Sequence, residues 1–318
     1  MLSVVVPMFD EEDVLPQTLP RMRAALDGIG PDYELICVDD GSKDSTATLL
    51  KAARAGWPQL RIVRLRANAG HQAALTAGLD VAVGDYVVTI DADLQDPPEL
   101  IGTMLARAVD DRVDVVYAIR RDRTSDSAFK RITAGLYYRM ARRVAGPQVP
   151  THAGDFRLMS RAVVDALRTL PERHRVYRLL IPWLGFPSAT VSYARSVRAA
   201  GTTKYPLSKM FRLAADSITS FTAAPLRLAT WLGASGFVVC LLLGCASVVA
   251  YFAGATVPGW ASLTVAVMFL GAVQLLCLGL LGEYVARLYS EMQRRPLYFV
   301  AEDTGSPAHA PLSQVPTP

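Results

Sequence analysis

The first 120 residues alternate between short apolar runs and longer stretches with helical spacing. Leu2–Val6, Tyr33–Val38, Leu60–Leu65, Tyr86–Ile90 and Val113–Ala118 are mostly β-branched or aliphatic, the composition of buried strands. Between them, apolar residues recur at helical intervals. Leu15, Leu19, Met22 and Leu26 predict a helix to about Ile29, with Asp10 or Asp13 as its cap. Further helices are predicted from Asp44 or Ser45 to Ala55, over Gln72–Val83, and from Pro98 to about Val109. Five such alternations predict a doubly wound α/β sheet. Right-handed crossovers bring the carboxyl ends of its strands to one edge, where such folds bind ligands.

The polar positions are concentrated at those strand ends: Asp10/Glu11, Asp39/Asp40, Asn68/His71, Asp91/Asp93 and Arg120/Arg121. A ring of this kind suits a large, anionic, hydroxylated ligand. Its centre is Asp91-Ala92-Asp93-Leu94-Gln95-Asp96-Pro97-Pro98. In an extended segment, residues i and i+2 point to the same side, about 6–7 Å apart. Asp91 and Asp93 would then face one hard cation, with the Gln95 carboxamide as a further oxygen; such a set suits Mg²⁺ or Mn²⁺. The alternative is a pair of solvated loop acids. Asp39 is placed to accept from ribose hydroxyls or a base, or to cap a helix. His71 either touches a diphosphate or simply starts its helix.

Beyond Ala118 the pattern changes. Ser125–Val144 predicts a basic helix with Lys130, Arg131, Arg139, Arg142 and Arg143 opposite Ile132, Leu136 and Met140. Ala153–Arg161 predicts a short strand running into a helix, Tyr177–Leu184 is strongly apolar, and Thr190–Tyr193 is strand-like. Pro206–Phe221 has the amphipathic spacing of a helix lying in a membrane interface. From Leu228 to Gly282 there is no charged side chain. One span needs about 20 apolar residues, so the tract predicts two, near 229–253 and 261–285. The connector, 254–259, carries no Lys or Arg, whereas Lys209, Arg212, Arg227, Arg287, Arg294 and Arg295 flank the pair. Both termini are therefore expected on the cytoplasmic side. The competing reading is a buried core hairpin.

Composition adds less. The 318 residues are 51% hydrophobic with a formal net charge of +4, a mean hydropathy of +0.24 and a pI near 8.9. The mild basicity suits phosphates or a lipid surface, and no nucleic-acid-binding motif accompanies it. Cys37, Cys240, Cys245 and Cys277 show neither metal spacing nor a disulfide framework. The first residues lack the basic segment and cleavage site of a signal peptide.

Taken together, Val6-Pro7-Met8-Phe9-Asp10-Glu11, Val38-Asp39-Asp40-Gly41-Ser42, Asn68-Ala69-Gly70-His71-Gln72-Ala73-Ala74, Asp91–Glu99 and Gly201-Thr202-Thr203-Lys204-Tyr205 resemble family 2 glycosyltransferases of the GT-A fold. The nearer resemblance is to polyprenyl-phosphate glycosyltransferases, and it covers about residues 1–300. It implies a GT-A, doubly wound mixed sheet (1–204), interfacial helices (205–227), a two-helix transmembrane hairpin (228–286) and a cytoplasmic tail (287–318), disordered from about 302. It implies donor contacts at Pro7, Phe9, Glu11, Asp39, Asn68, His71, Asp91 and Ala92. It further implies a Mg²⁺ or Mn²⁺ site at Asp91, Asp93 and Gln95, and catalytic roles for Asp93 and Asp155. Phe9-Asp10 stands where family members often have an aromatic and Asn, which leaves the base open. The QxxRW motif of processive synthases is absent.

The expected reaction is inverting transfer of one sugar from a UDP- or GDP-sugar to a polyprenyl phosphate at the inner membrane. A lipid phosphate is mostly dianionic at pH 7 and already nucleophilic. Arg120, Arg121, Lys130, Arg131 and Lys204 are candidates to hold it, although Lys204 equally suits a lipid headgroup. Asp155 either serves as the catalytic carboxylate or pairs with Arg157 or Arg161. The alternatives are a non-catalytic membrane-anchored sugar-nucleotide binder and a transferase acting on a saccharide hydroxyl. Expected partners are a nucleotide sugar, the lipid and the membrane, without nucleic acid; homo-oligomerisation stays open.

Overall fold

The computed structural model describes residues 1–30, 32–120, 153–172, 175–193, 224–253 and 259–305. They form two compact units, 1–206 with 296–318, and 207–295.

The first unit is a mixed sheet. Its strands are β1 (Leu2–Met8), β2 (Tyr33–Asp39), β3 (Leu60–Leu65), β4 (Tyr86–Thr89), β5 (Val115–Arg120), β6 (Ala153–Ser160), β7 (Ser188–Tyr193) and β8 (Val300–Asp303). The order across the sheet is β7-β5-β6-β4-β1-β2-β3-β8. β1 pairs in parallel with β2 and β4, and β2 with β3. The five strands expected from the apolar runs all exist, but β5 does not neighbour β4. β6 lies between them, antiparallel to both. Its amino end therefore reaches the same edge as the carboxyl ends of β1–β5.

Helices cover both faces. The intervening helices are α1 (Leu15–Asp27), α2 (Thr46–Ala55), α3 (His71–Val81), α4 (Leu100–Asp111), α5 (Arg161–Thr169) and α6 (Tyr177–Trp183). Leu15, Leu19, Met22 and Leu26 of α1 join Leu50, Ile101 and Met104 in one core with Val4, Val6, Cys37 and Ile62. On the other face α3 lies close to β1, because Gly78 leaves room for it. A Cβ there would stand 2.2 Å from Val5 Cγ1 and 3.1 Å from Val38 Cγ2. The predicted acidic caps of α1 are not used: its cap is Val14, without a side-chain bond. Asp10 turns instead to the β2 loop.

The C-terminal segment departs from expectation. A tail disordered from about Glu302 was expected, yet residues 300–303 form β8 on the open edge of β3. Side chains hold it there. Arg61 grips Asp303 with two hydrogen bonds, 2.9 and 2.8 Å, and Lys51 reaches Glu302 at 2.8 Å. The Tyr298 hydroxyl donates to Asp80 at 2.6 Å. None of these partners is near in sequence, so local composition gave no sign of the strand.

The second unit comprises α7 (Ala224–Phe252) and α8 (Trp260–Met292). Trp231, Phe237, Leu263 and Leu275 are largely exposed on them. Among the described residues one helix, Ala266–Met292, is long and apolar enough to cross a membrane, and Ala229–Val239 is a shorter apolar run. The predicted basic helix (125–144) and interfacial helix (206–221) lie outside the described residues.

Gly78→Ala should overpack the α3–β1 contact and cost about 1–3 kcal/mol. Thermal or denaturant unfolding, followed by fluorescence, checks this; an unchanged midpoint would show that α3 can move away at no cost.

Candidate active site

The first two strand-end loops are locked to each other. Asp10 adopts a left-handed conformation, φ 51°. Its N–H donates to Ser42 Oγ and its Oδ1 accepts from the Lys43 N–H, both at 2.9 Å. The Glu11 N–H donates to Thr46 Oγ1 at 2.9 Å. Gly41, φ 70°, lets the β2 loop touch the β3 loop, where a Cβ would stand 2.7 Å from the Ala67 carbonyl carbon. Asp40 then takes the Ala69 and Gly70 N–H groups at 2.7 and 2.9 Å. Burial pushes the Asp40 pKa up, and those two bonds oppose the rise. Asp40 is thus the structural member of its pair.

Asp39 differs. It is fully buried, and its Oδ1 accepts from the Ser42 N–H at 2.9 Å. Arg64 Nε lies 3.2 Å from Oδ2 but off the line of a hydrogen bond, so Oδ2 has no hydrogen-bond partner among the described residues. A buried carboxylate oxygen left this way is costly unless a ligand donor meets it. It lies at the carboxyl end of β2.

The acidic stretch after β4 is not extended. β4 ends at Thr89, Leu94 is left-handed (φ 57°), and Asp93 Oδ1 accepts the Gln95 N–H at 3.1 Å. The i, i+2 alignment expected for a strand is replaced by a turn. Ala92 is buried, and its carbonyl accepts the Thr18 hydroxyl at 2.8 Å. Asp91 Oδ1 meets His71 Nε2 at 3.0 Å. Burial pulls the His71 pKa down; the Asp91 hydrogen bond and the Asp91 and Asp155 charges outweigh it and leave a net rise. Asp96 is buried, contacting the Tyr193 hydroxyl and, at 3.4 Å, Arg120. Burial raises its pKa against the Arg120 charge.

The donor set of this turn fits a hard divalent cation. Two partly exposed carboxylates and a carboxamide are all oxygen ligands, and a small cation takes its remaining positions from water and phosphate. Among the described residues there is no cluster of three His, Cys, Asp or Glu side chains able to enclose a metal alone. A cation here would therefore be shared with a ligand.

Asp155 enters this edge on β6. Its Oδ1 accepts from Arg157 Nη2 at 2.7 Å, and its Oδ2 from Arg178 Nη2 at 3.2 Å. Burial alone would raise its pKa, but Arg178, Arg157 and His71 hold it down at about 2. Arg161, the other partner considered for Asp155, binds the Gly84 carbonyl instead. Arg157 is buried and also donates to the Tyr177 and Gly154 carbonyls, at 3.1 and 2.9 Å.

The structure thus gathers Phe9, Glu11, Asp39, Asn68, His71, Asp91, Asp93, Gln95 and Asp155 along one sheet edge. Pro7 and Ala92 are buried, so main chain is what they can offer a ligand. Arg120, a candidate for the acceptor phosphate, donates to the Tyr193 hydroxyl at 3.1 Å and to Asp96 at 3.4 Å. Arg121, Lys130, Arg131 and Lys204 lie outside the described residues. Gln72, Tyr177 and Arg178 were missed. Arg178 had a sequence signal: it is the charged residue inside an otherwise apolar run.

Open α/β sheets bind ligands in the crevice outside the carboxyl ends of their strands, and here that edge is lined with carboxylates. Comparison with known proteins is more specific. Residues 3–168 match the model "Glycosyl transferase family 2", and residues 224–288 match "GtrB C-terminal hairpin". The "Uncharacterized glycosyltransferase YkcC" of Bacillus subtilis is 40% identical over 95% of this chain and 94% of its own length. The "SfII prophage-derived bactoprenol glucosyl transferase" of Shigella flexneri is 37% identical over 94% of this chain and 97% of its own. An Escherichia coli relative, "Prophage bactoprenol glucosyl transferase homolog", is 36% identical over 94% and 98%. The chain belongs to glycosyl transferase family 2; it is a glycosyltransferase with a GT-A-like sheet.

Asp155→Asn should leave Arg157 buried without its counter-charge and cost about 3–5 kcal/mol. The folded pKa lies below the ordinary 3.8. The stabilisation is therefore present above about pH 4 and lost as the pH falls toward 2. Unfolding free energy measured against pH should show this acid limb in the wild type and a flatter one in the variant.

Proposed function

We propose that this glycosyltransferase moves one sugar from a nucleotide-sugar donor to the phosphate of a polyprenyl phosphate at the cytoplasmic membrane face, with inversion and a divalent cation. One observation carries the choice of acceptor. Asp155, the carboxylate available for base catalysis, is gripped by two arginines and held strongly acidic. Such a group is a poor proton acceptor near neutral pH. A sugar hydroxyl would need a base; a phosphate dianion does not. The names of relatives matching nearly the whole chain, bactoprenol glucosyl transferases, agree with that acceptor, and they put glucose first among donors to try.

In this reading, Asp39 Oδ2 accepts from the nucleoside, with Pro7, Phe9, Glu11 and Asn68 around it. Asp91, Asp93 and Gln95 hold Mg²⁺ or Mn²⁺, which when bound offsets charge on the leaving diphosphate. An acceptor phosphate oxygen attacks the anomeric carbon as the bond to the diphosphate breaks. The electron pair leaves with the nucleotide, and attack from the opposite face inverts the centre. His71 orients Asp91, and Asp155 with its arginines positions the sugar or the acceptor. Arg121, Lys130, Arg131 and Lys204 supply positive charge for the lipid phosphate. α7 and α8, read as two spans with both chain ends cytoplasmic, bring a water-soluble donor and a lipid acceptor together.

Membranes containing the protein, given labelled UDP- and GDP-sugars with Mg²⁺ or Mn²⁺, should pass label into a lipid-phosphate extract. Label appearing only in polymer or on a saccharide would overturn the acceptor assignment. Asp93→Ala should lower the rate at least ~10²-fold; a rate near wild type would remove Asp93 from the cation site.

A further inference from the structure

We propose that Arg178 is a positioning residue for glycosyl transfer: with Arg157 it fixes both oxygens of the Asp155 carboxylate at the sheet edge, beside the Asp91–His71 pair. The two arginines are unequal. Arg157 is sealed, its side chain only 2% exposed, and it is also spent on two carbonyls. Arg178 is 37% exposed, and it holds the second carboxylate oxygen, Oδ2, at 3.2 Å. One guanidinium already balances the Asp155 charge. The second charge adds to that balance and also acts on Asp155 through space. It adds direction as well. A carboxylate held through Oδ1 alone can swing about that bond, whereas one held through both oxygens from two sides cannot.

The mount of Arg178 is itself rigid. It follows Tyr177, the first residue of α6, whose three polar groups bind three separate partners. The Tyr177 N–H donates to Gln72 Oε1 at 3.2 Å. Its carbonyl accepts from Arg157 Nη1 at 3.1 Å, and its hydroxyl meets Thr76 Oγ1 at 2.8 Å. Gln72 continues the chain, its Nε2 lying 3.2 Å from His71 Nδ1, and His71 Nε2 meets Asp91. A chain of contacts therefore runs from Asp91 through His71 and Gln72 to Tyr177, where Tyr177, Arg157, Asp155 and Arg178 form a ring closed by the peptide bond between Tyr177 and Arg178. It joins the acidic turn after β4 to the carboxylate on β6 through α3 and α6. Groups linked this way keep their spacing during the reaction, and misplacing a positioning group by about 1 Å can cost ~10²-fold in rate.

The test compares Arg178→Gln and Arg178→Lys with wild type in the full-length, membrane-reconstituted protein, using the nucleotide sugar that wild type turns over. The expected result for Arg178→Gln is a ~10²-fold lower kcat, a donor KM within about threefold, and an unfolding midpoint within a few degrees, since Arg157 still neutralises Asp155. Arg178→Lys should recover about tenfold of the lost kcat. A kcat for Arg178→Gln within threefold of wild type overturns the proposal. So does a change confined to KM, which would make Arg178 a substrate contact. Equal losses in Gln and Lys variants with a midpoint lowered by tens of degrees would make it purely structural, and would equally overturn it. A structure of Arg178→Gln gives a reading independent of turnover. Asp155 rotated away from its wild-type orientation supports the proposal, and an unmoved carboxylate overturns it. The inference rests on the proposed acceptor only for the product measured. If wild type labels something other than lipid phosphate, the acceptor reading fails and the same variant ratios are taken on that product.

Discussion

Burial of the Arg157 guanidinium is the constraint on which the site depends. A charge with 2% exposure is tolerable only if its donors are met and its charge is balanced. Asp155, the Gly154 carbonyl and the Tyr177 carbonyl do this together. Meeting those needs fixes the start of β6, the start of α6, and the carboxylate between them. The same burial depresses the pKa of Arg157, against the neighbouring Asp155 charge. Charge balance inside the sheet and geometry at its edge are thus one problem with one solution.

The antiparallel insertion of β6 makes that solution available at the right place. In an all-parallel sheet, a residue at the beginning of a strand lies at the edge away from the ligand. Because β6 runs against β4 and β5, its first residues stand among the carboxyl ends of its neighbours. The Thr89 hydroxyl, near the end of β4, donates to the Asp155 main-chain carbonyl at 2.5 Å, which ties the two strand ends together. Gly154 lies beside Arg120, where a Cβ would stand 3.2 Å from the guanidinium. The acidic turn, the second carboxylate and the Asp96–Arg120–Tyr193 group thereby share one rim.

Much of this was legible in the chain. The five apolar runs, the intervening helices and the polar strand ends follow from periodicity, and each lies where its run predicted within a few residues. The acids of the turn after β4 were visible as chemistry, though their geometry was not. Periodicity says where a strand is apolar, and the left-handed Leu94 and the Asp93–Gln95 bond are backbone events it does not encode. β8 was missed for a related reason: its strand character comes from the open edge of β3 and from Arg61, more than 230 positions earlier.

The sequence by itself determined the layered α/β class, the edge that carries the chemistry and the apolar helical segment beyond it. These depend on local spacing, composition and chain direction. Tertiary structure decided which acids are satisfied by the scaffold and which are not. Asp39 and Asp40 are adjacent and identical in type, yet one keeps a buried oxygen without a hydrogen bond and the other closes a loop. It also decided that Asp155 is an ionised, doubly held carboxylate, because the two arginines that hold it come from different elements. A carboxylate's role is set by the charges and donors around it in space, and the one-dimensional chain does not list those neighbours.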